Sequence, residues 1–290
     1  MSVRDPEPES RFGASHEVRV RAPGKINLSL RVGGREPDGF HSLATVFQAV
    51  SVYEDVVASA GDGLTLTVTG AQADLVPTDG SNLALRAARA LADHAGVEAS
   101  VHLHVHKAVP VAGGMAGGSA DAAAALLACD AFWRTGLSRD ELHDLAAALG
   151  SDVSFGLVGH TAIGTGRGDV LTPALSRGEY HWVFAVRDEG LSTPRVFAAF
   201  DELRLAAGLG GPAADVALLQ ALRAGDPVAL AAALRNDLQA AALELAPGLV
   251  EPLEVARAAG ALGVLVSGSG PTVAALARSR QHALAIASAC

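Results

Sequence analysis

Apolar and polar residues alternate over 18–32 (VRVRAPGKINLSLRV), a period-two pattern that predicts a strand interrupted at Pro23-Gly24. Further strands are predicted at 45–57 and 64–69. Asn82 then opens a helix to about 95 that Gly96 closes as a C-cap, and a strand over 102–106 follows. A glycine-rich loop, 109–118, leads into an Ala/Leu helix from Ser119 to about 134. Ser138, with Glu141 three residues on, forms a capping box for a helix ending near 149. Beyond Ser151 come an apolar segment and strands near 160–164 and 181–187, then a loop with Thr193-Pro194 and a helix near 195–203. Residues 213–260 are helical almost throughout, with Asp226-Pro227 as a start signal and Pro247-Gly248 as a break. The last unit is strand 262–267, a glycine turn, strand 272–276 and a helix from about 279. Early strands, central helices and a late β-α unit make an α+β pattern.

Composition adds constraints. The chain has 50% hydrophobic and 18% charged residues, which is globular rather than disordered, and with 4% aromatics the core must rely on Ala, Leu and Val. A net charge of -9 argues against nucleic-acid or anionic-membrane partners, so positive potential for any anionic ligand must be local. The longest uncharged stretch, 258–277, carries Ser267-Gly268-Ser269-Gly270-Pro271 in its middle, which would break a spanning helix. Cys129 and Cys290 lie far apart with no CxxC, which disfavours a disulfide framework or structural zinc and fits a reducing, cytoplasmic compartment. The acidic, proline-bearing start lacks the apolar stretch of a secretory signal, and 1–17 is expected to be a loose tail. The cations are lopsided: 20 Arg but only two Lys, Lys25 and Lys107. With only three Asn (Asn27, Asn82, Asn236) and abundant Ala and Gly, this looks like GC-rich coding. The surviving lysines then mark positions where a compact ammonium works and a planar guanidinium does not.

The strongest chemical pattern is 110–121, PVAGGMAGGSAD, between a strand and a helix start. Glycines let backbone N–H groups approach an anion, and a helix N-terminus adds unpaired donors and a favourable dipole. The loop is not a Walker A motif, because Ser119 stands where its Lys is required, nor GxGxxG, because Met115 occupies the second Gly. A turn that merely permits close packing remains the plain alternative. The second cluster, 267–271, alone reads as a tight turn; together the two could close on one phosphate-bearing ligand.

Three blocks in order, Ala22-Pro-Gly-Lys-Ile-Asn27, the 110–120 loop and Ser267-Gly-Ser-Gly-Pro271, resemble the GHMP small-molecule kinase superfamily. Three more, Lys25-Ile-Asn-Leu-Ser-Leu30, Asp38-Gly-Phe-His-Ser-Leu43 and Leu149-Gly-Ser-Asp-Val153, resemble its branch that phosphorylates a cytidine diphosphate-linked methylerythritol to its 2-phosphate in the non-mevalonate isoprenoid pathway. The resemblance covers about residues 18 to 280. It implies a two-domain α+β fold: an N-terminal ATP-binding domain over 18–170, with a mixed sheet and helices, and a C-terminal α/β substrate-side domain over 171–290 that lacks a closing strand.

The resemblance also implies ATP and magnesium, with Asp152 as general base and Lys25 as the neighbouring cation that stabilises the transferred phosphoryl. Pro110, Val111, Ala112, Gly113, Gly114, Met115, Ala116, Gly117, Gly118, Ser119 and Ala120 would hold the ATP phosphates, Ser119 also being the candidate magnesium contact, with Lys107 and Asn82 as further ATP contacts. Phe40 and His41 would hold the cytosine by stacking and hydrogen bonding, Phe197 would supply the opposite face, and Asn27 would sit beside the methylerythritol hydroxyls. Ser267, Gly268, Ser269 and Gly270 would complete the substrate side.

Ser154 stands where relatives often have Pro, Phe40 where many have Tyr, and Ala112 and Ala116 replace loop glycines. His102, His104 and His106 share one strand face; a solvated polar face accounts for them better than a metal site, since no carboxylate or Cys joins them. Arg167-Gly168-Asp169 reads as a turn and Cys129 as a small buried residue. Two alternatives remain: another GHMP kinase, acting on homoserine for instance, and a catalytically silent nucleotide binder. The partners are small molecules, and monomer and dimer both stay open.

Overall fold

The computed structural model describes residues 16–187, 189–207, 212 and 215–290; most of the expected N-terminal tail lies outside them. Its larger sheet has seven strands. β1 (Val18–Arg35) pairs antiparallel with β2 (His41–Ser59), and β3 (Leu64–Gly70) and β4 (Val101–Lys107) extend the sheet from β2. β5 (Thr161–Thr165) and β6 (Val170–Pro173) add to the other part of β2. The smaller sheet runs β7 (His181–Ala185), β10 (Val273–Ala277), β9 (Gly263–Val266). β8 (Arg235–Asn236), from the C-terminal half, pairs parallel with β1, so the large sheet draws on both sides of the expected division at 170/171.

The predicted interruption at Pro23-Gly24 is a bulge inside one long strand. Register shifts between Pro23 and Lys25, and the Lys25 amide donates to the Met115 carbonyl at 3.0 Å. Proline removes one ladder donor without ending the strand, and the bulge re-aims the backbone toward the glycine loop. α1 (Leu83–Ala95) starts and stops as its sequence specifies: the Asn82 side chain accepts from Ala84 and Gly96 closes the helix in the left-handed region. The Ser138–Glu141 box caps α3 (Arg139–Leu149).

One segment left without an element is assigned, and one reading is corrected. The apolar segment after Gly150 is a short helix, α4 (Ser151–Val158), its buried Val153 and Phe155 facing inward. Within the stretch expected to be helical over 213–260, residues 213 and 214 lie outside the described residues, and 215–260 are less helical than expected, being divided into α6 (Val216–Ala224), α7 (Pro227–Ala233), β8, α8 (Gln239–Leu245) and α9 (Val250–Ala258). Asp226 caps α7 with Pro227 at its first turn, and Asn236 leaves the helical path to join the sheet.

The helices α1 and α2 (Gly117–Trp133) cover one face of the large sheet in a core of small residues, including Ala120, Ala122 to Ala125, Leu126 and the buried thiol of Cys129, whose pKa burial pushes up to about 12. The opposite face carries His102, His104 and His106, whose rings exchange hydrogen bonds with Thr65, Thr67 and Thr69 of β3 at 2.9 to 3.2 Å. These contacts account for the stripe as a polar cross-strand ladder. A second core joins β1 and β2 to the small sheet, α6 and α7, and it buries Ile26, Leu28, Met115 and Leu276. It brings the two glycine clusters together.

Candidate active site

Gly114 is the junction of the two clusters. It has φ +74, and a Cβ there would collide with the Ser267 carbonyl and crowd Gly270, so only glycine fits. Ser267 donates its hydroxyl to the Gly114 carbonyl at 3.1 Å, and the Thr272 amide donates to Gly113 at 3.3 Å. The proximity left open by the sequence is therefore present. Asn236, to which the sequence assigned no role, holds the second loop from behind: its amide donates at 2.7 Å to the carbonyls of both Val266 and Gly268.

A cavity of about 720 Å³ opens over this junction. Pro110, Ala112, Gly113, Gly114 and Ala116 through Ser119 form one wall, Gly268 and Ser269 adjoin it, and Lys25, Asn27 and Asp152 line the same space. Ala116 is the N-cap of α2 with φ 60, and no side chain among the described residues caps that helix. The orphan amides of its first turn thus lie at the cavity wall, where they and the helix dipole favour an anion. Ala112 and Ala116 both take positive φ, where each costs about 1 to 3 kcal/mol relative to an unstrained conformation.

Lys25 and Asp152 form the charged floor. Lys25 is buried, and its Nζ donates to Asn27 Oδ1 at 2.8 Å and to the Gly114 carbonyl at 3.2 Å, and stands 3.4 Å from Asp152 Oδ2. Asp152 lies in the first turn of α4, where the helix dipole favours a carboxylate. Asn27 donates to the Thr45 hydroxyl at 2.8 Å, and Thr45 donates to the Ser29 carbonyl at 2.8 Å, which fixes the amide that faces Lys25. Thr45 belongs to the site but carries no motif that would have revealed it.

At the aromatic end His41 is buried, with Nδ1 3.1 Å from the Gly33 carbonyl and Nε2 3.3 Å from Asp201 Oδ2. Phe197 stacks on the His41 ring, centroids 5.1 Å apart, so its ring partner is the histidine. Phe40 is exposed and lies beneath the Arg167 guanidinium at 5.0 Å. In the sequence Asp201 carried no signal, and Arg167 read only as part of a turn. Thr193 and Ser269 share a hydrogen bond of 2.8 Å, tying the start of α5 (Thr193–Ala207) to the second glycine loop.

Several expected ATP contacts stand behind the cavity wall. Lys107 is buried 2.6 Å from both Glu54 and Asp121, so its ammonium is fully engaged in an ion triad. Asn82 is committed to its cap and to the Pro77 carbonyl. Met115 is a core side chain, Ala120 is buried in α2, and the Val111 amide donates to Gln72. Ser267 holds the Gly114 carbonyl, Gly270 donates its amide to Ser267 and packs close to Gly114, and neither lines the cavity.

The triad serves the loop from below. Glu54 accepts from the Ala108 amide at 3.0 Å, and a Cβ on Gly117 would press on both Glu54 and Lys107. Burial pushes the Asp121 pKa from 3.8 to about 7, with Glu54 adding to the rise and Lys107 opposing it. The native state therefore keeps a proton on Asp121 that the unfolded chain has released. This contribution to stability is complete below pH 3.8 and declines as pH rises to about 7. An Asp121→Asn variant should flatten that part of the stability profile in denaturant titrations at a series of pH values; an unchanged slope would remove Asp121 as its source.

Fold and site together define a GHMP kinase. The model for the GHMP kinases N terminal domain matches residues 82–164, and that for GHMP kinases C terminal matches 218–290. A 4-diphosphocytidyl-2-C-methyl-D-erythritol kinase of Streptomyces avermitilis is 57% identical over 272 residues, 94% of this chain and 92% of that protein. A crystal structure of 4-(cytidine 5'-diphospho)-2C-methyl-D-erythritol kinase aligns with TM-score 0.76 and 32% identity over 93% of this chain and 94% of that one. The chain belongs to the 4-diphosphocytidyl-2-C-methyl-D-erythritol kinase family. A homoserine kinase from Cytophaga hutchinsonii, with TM-score 0.70 but 17% identity over 99% of this chain and 91% of that one, shares the fold.

Proposed function

We propose that the protein transfers the γ-phosphoryl of ATP to the 2-hydroxyl of 4-diphosphocytidyl-2-C-methyl-D-erythritol, with 18–170 supplying the phosphate loop and most substrate contacts and 171–290 closing the substrate side through Phe197, Gly268 and Ser269. The observation that carries this is the Lys25–Asp152 pair, 3.4 Å apart, in a cavity that also holds the α2 amides and the Phe40–His41 aromatic end. Amides of Gly117, Gly118 and Ser119 bind the ATP phosphates, and Asp152 orients the hydroxyl and accepts its proton as the new O–P bond forms and ADP departs. Lys25 stabilises charge on the phosphoryl in flight. Because the transition state is loose, positioning and electrostatics matter more than the basicity of the carboxylate.

Magnesium in such sites takes most of its ligands from phosphates and water. Ser119, at the cavity wall in the first turn of α2, fits as a protein contact. When bound, the ion neutralises phosphate charge. A reducing cytoplasmic location is supported by two free cysteines, and among the described residues no helix is long and apolar enough to cross a membrane.

An assay coupled to ADP release, run with the cytidyl alcohol and with homoserine, tests the reading. Turnover should require the cytidyl alcohol. Turnover of homoserine alone would reassign the substrate, and ATP binding without turnover of either would make the protein a silent binder.

A further inference from the structure

The short helix α4 carries a glycine in its interior. Gly156 has an ordinary helical backbone, so the chain itself would accept alanine there, which is a far better helix former. The reason for glycine lies across the helix interface. A Cβ on Gly156 would stand 2.5 Å from the Ala123 Cβ of α2, closer than two such carbons can approach. The next atoms it would meet, the Ser119 carbonyl and the Ala120 Cα, are at 3.6 and 3.9 Å, which is ordinary contact. Ala123 is itself completely buried. Here α4 therefore packs its backbone directly on a methyl group of α2.

The contact lies one helical turn beneath the reaction centre. Residues four apart stack on one helix face, so Gly156 sits a turn below Asp152 on α4, and Ala123 a turn below Ser119 on α2. Asp152 and Ser119 line the same cavity, one on the helix that bears the base, the other among the amides that face the phosphates. We propose that Gly156 is a positioning residue, its missing side chain setting how closely the base-bearing helix approaches the phosphate-binding helix. This rests on the kinase reading above. To bring an added methyl to ordinary carbon contact, about 3.5 to 4 Å, the helices must part by about 1 Å or more. A misplacement of about 1 Å can slow a reaction about 100-fold, because the attacking oxygen and the phosphorus must be held within near-contact distance. The shift falls on α4. α2 has 17 residues and buries Ala120 and Ala122 to Ala125 in the core against the large sheet, whereas α4 has eight residues.

Kinetics, thermal melting and crystal structures of wild type, Gly156→Ala and the exchanged pair Gly156→Ala/Ala123→Gly test the assignment. Gly156→Ala should lose about 10- to 100-fold in kcat while the KM of ATP stays unchanged. Its structure should show α4 displaced from α2 and Asp152 beyond its present 3.4 Å from Lys25. The exchanged pair moves the methyl from one helix to the other, leaves 3.6 Å to the nearest remaining atom, and should recover most of kcat. A lowered melting temperature with kcat intact would make the contact purely structural and overturn the proposal. So would a loss of kcat that the exchange does not restore, an unmoved α4, or a rise in the KM of ATP, which would place the damage in α2. If wild type does not phosphorylate the cytidyl alcohol, the substrate reading falls, and the two variant structures still decide whether Gly156 sets the spacing. If wild type is active and Gly156→Ala matches it, only the spacing assignment falls.

Discussion

Asp152→Asn should lower the rate of phosphoryl transfer by about 100- to 10,000-fold, the range expected for removing a positioned general base, while ATP binds almost as before. The two readouts separate because of where the carboxylate sits. Asp152 is held by α4, whereas the expected phosphate ligands are the first amides of α2. Asparagine keeps the shape of the side chain, and Lys25 keeps its contacts to Asn27 and Gly114, so the floor of the cavity should not collapse. Single-turnover transfer from γ-labelled ATP and a separate ATP titration would measure the two effects. A near-wild-type transfer rate would reject Asp152 as the base, and a parallel loss of ATP affinity would show that the variant had disturbed the loop.

Lys25→Arg should be nearly as damaging as Lys25→Ala, each losing about 100- to 1,000-fold in kcat as for removal of one oriented charge from a transition state. Conserving the charge does not help because the space is closed. The Lys25 side chain is 6% exposed, its Nζ has three oxygen neighbours within 3.4 Å, and a Cβ on Gly268 would come within 3.4 Å of it. A planar guanidinium is wider than an ammonium and would have to displace Asn27 or the Gly114 carbonyl. Thermal melting of Lys25→Arg alongside its kinetics would show whether the damage is confined to the site. Full activity would mean that the position does not require a compact cation.

The helix caps were legible because they depend on residues two to four positions apart. Asn82, Ser138 with Glu141, and Asp226-Pro227 act where their local patterns put them. The alternation of Val101, Leu103 and Val105 likewise specified which face of β4 is buried. The glycine loop was legible for the same reason, since the glycines and the uncapped helix start are contiguous.

The two lysines show where that legibility ends. Both are rare, both lie on strands, and both were expected at ligand contacts, yet Lys25 faces the cavity and Lys107 is buried beneath it. The difference is made by Glu54 and Asp121, which reach Lys107 across 53 and 14 residues. Nothing in its neighbouring sequence reports them. The same holds for Asn236, whose amide meets carbonyls 30 and 32 residues away, and for Arg167, whose turn looked ordinary until the hairpin folded against Ser151 and Phe40. The sequence by itself determined most of the elements, the helix caps and the family. Only the tertiary structure decided which charges line the cavity and which support its wall, because that choice depends on register and packing between distant segments, whereas local sequence constrains backbone conformation over only a few residues.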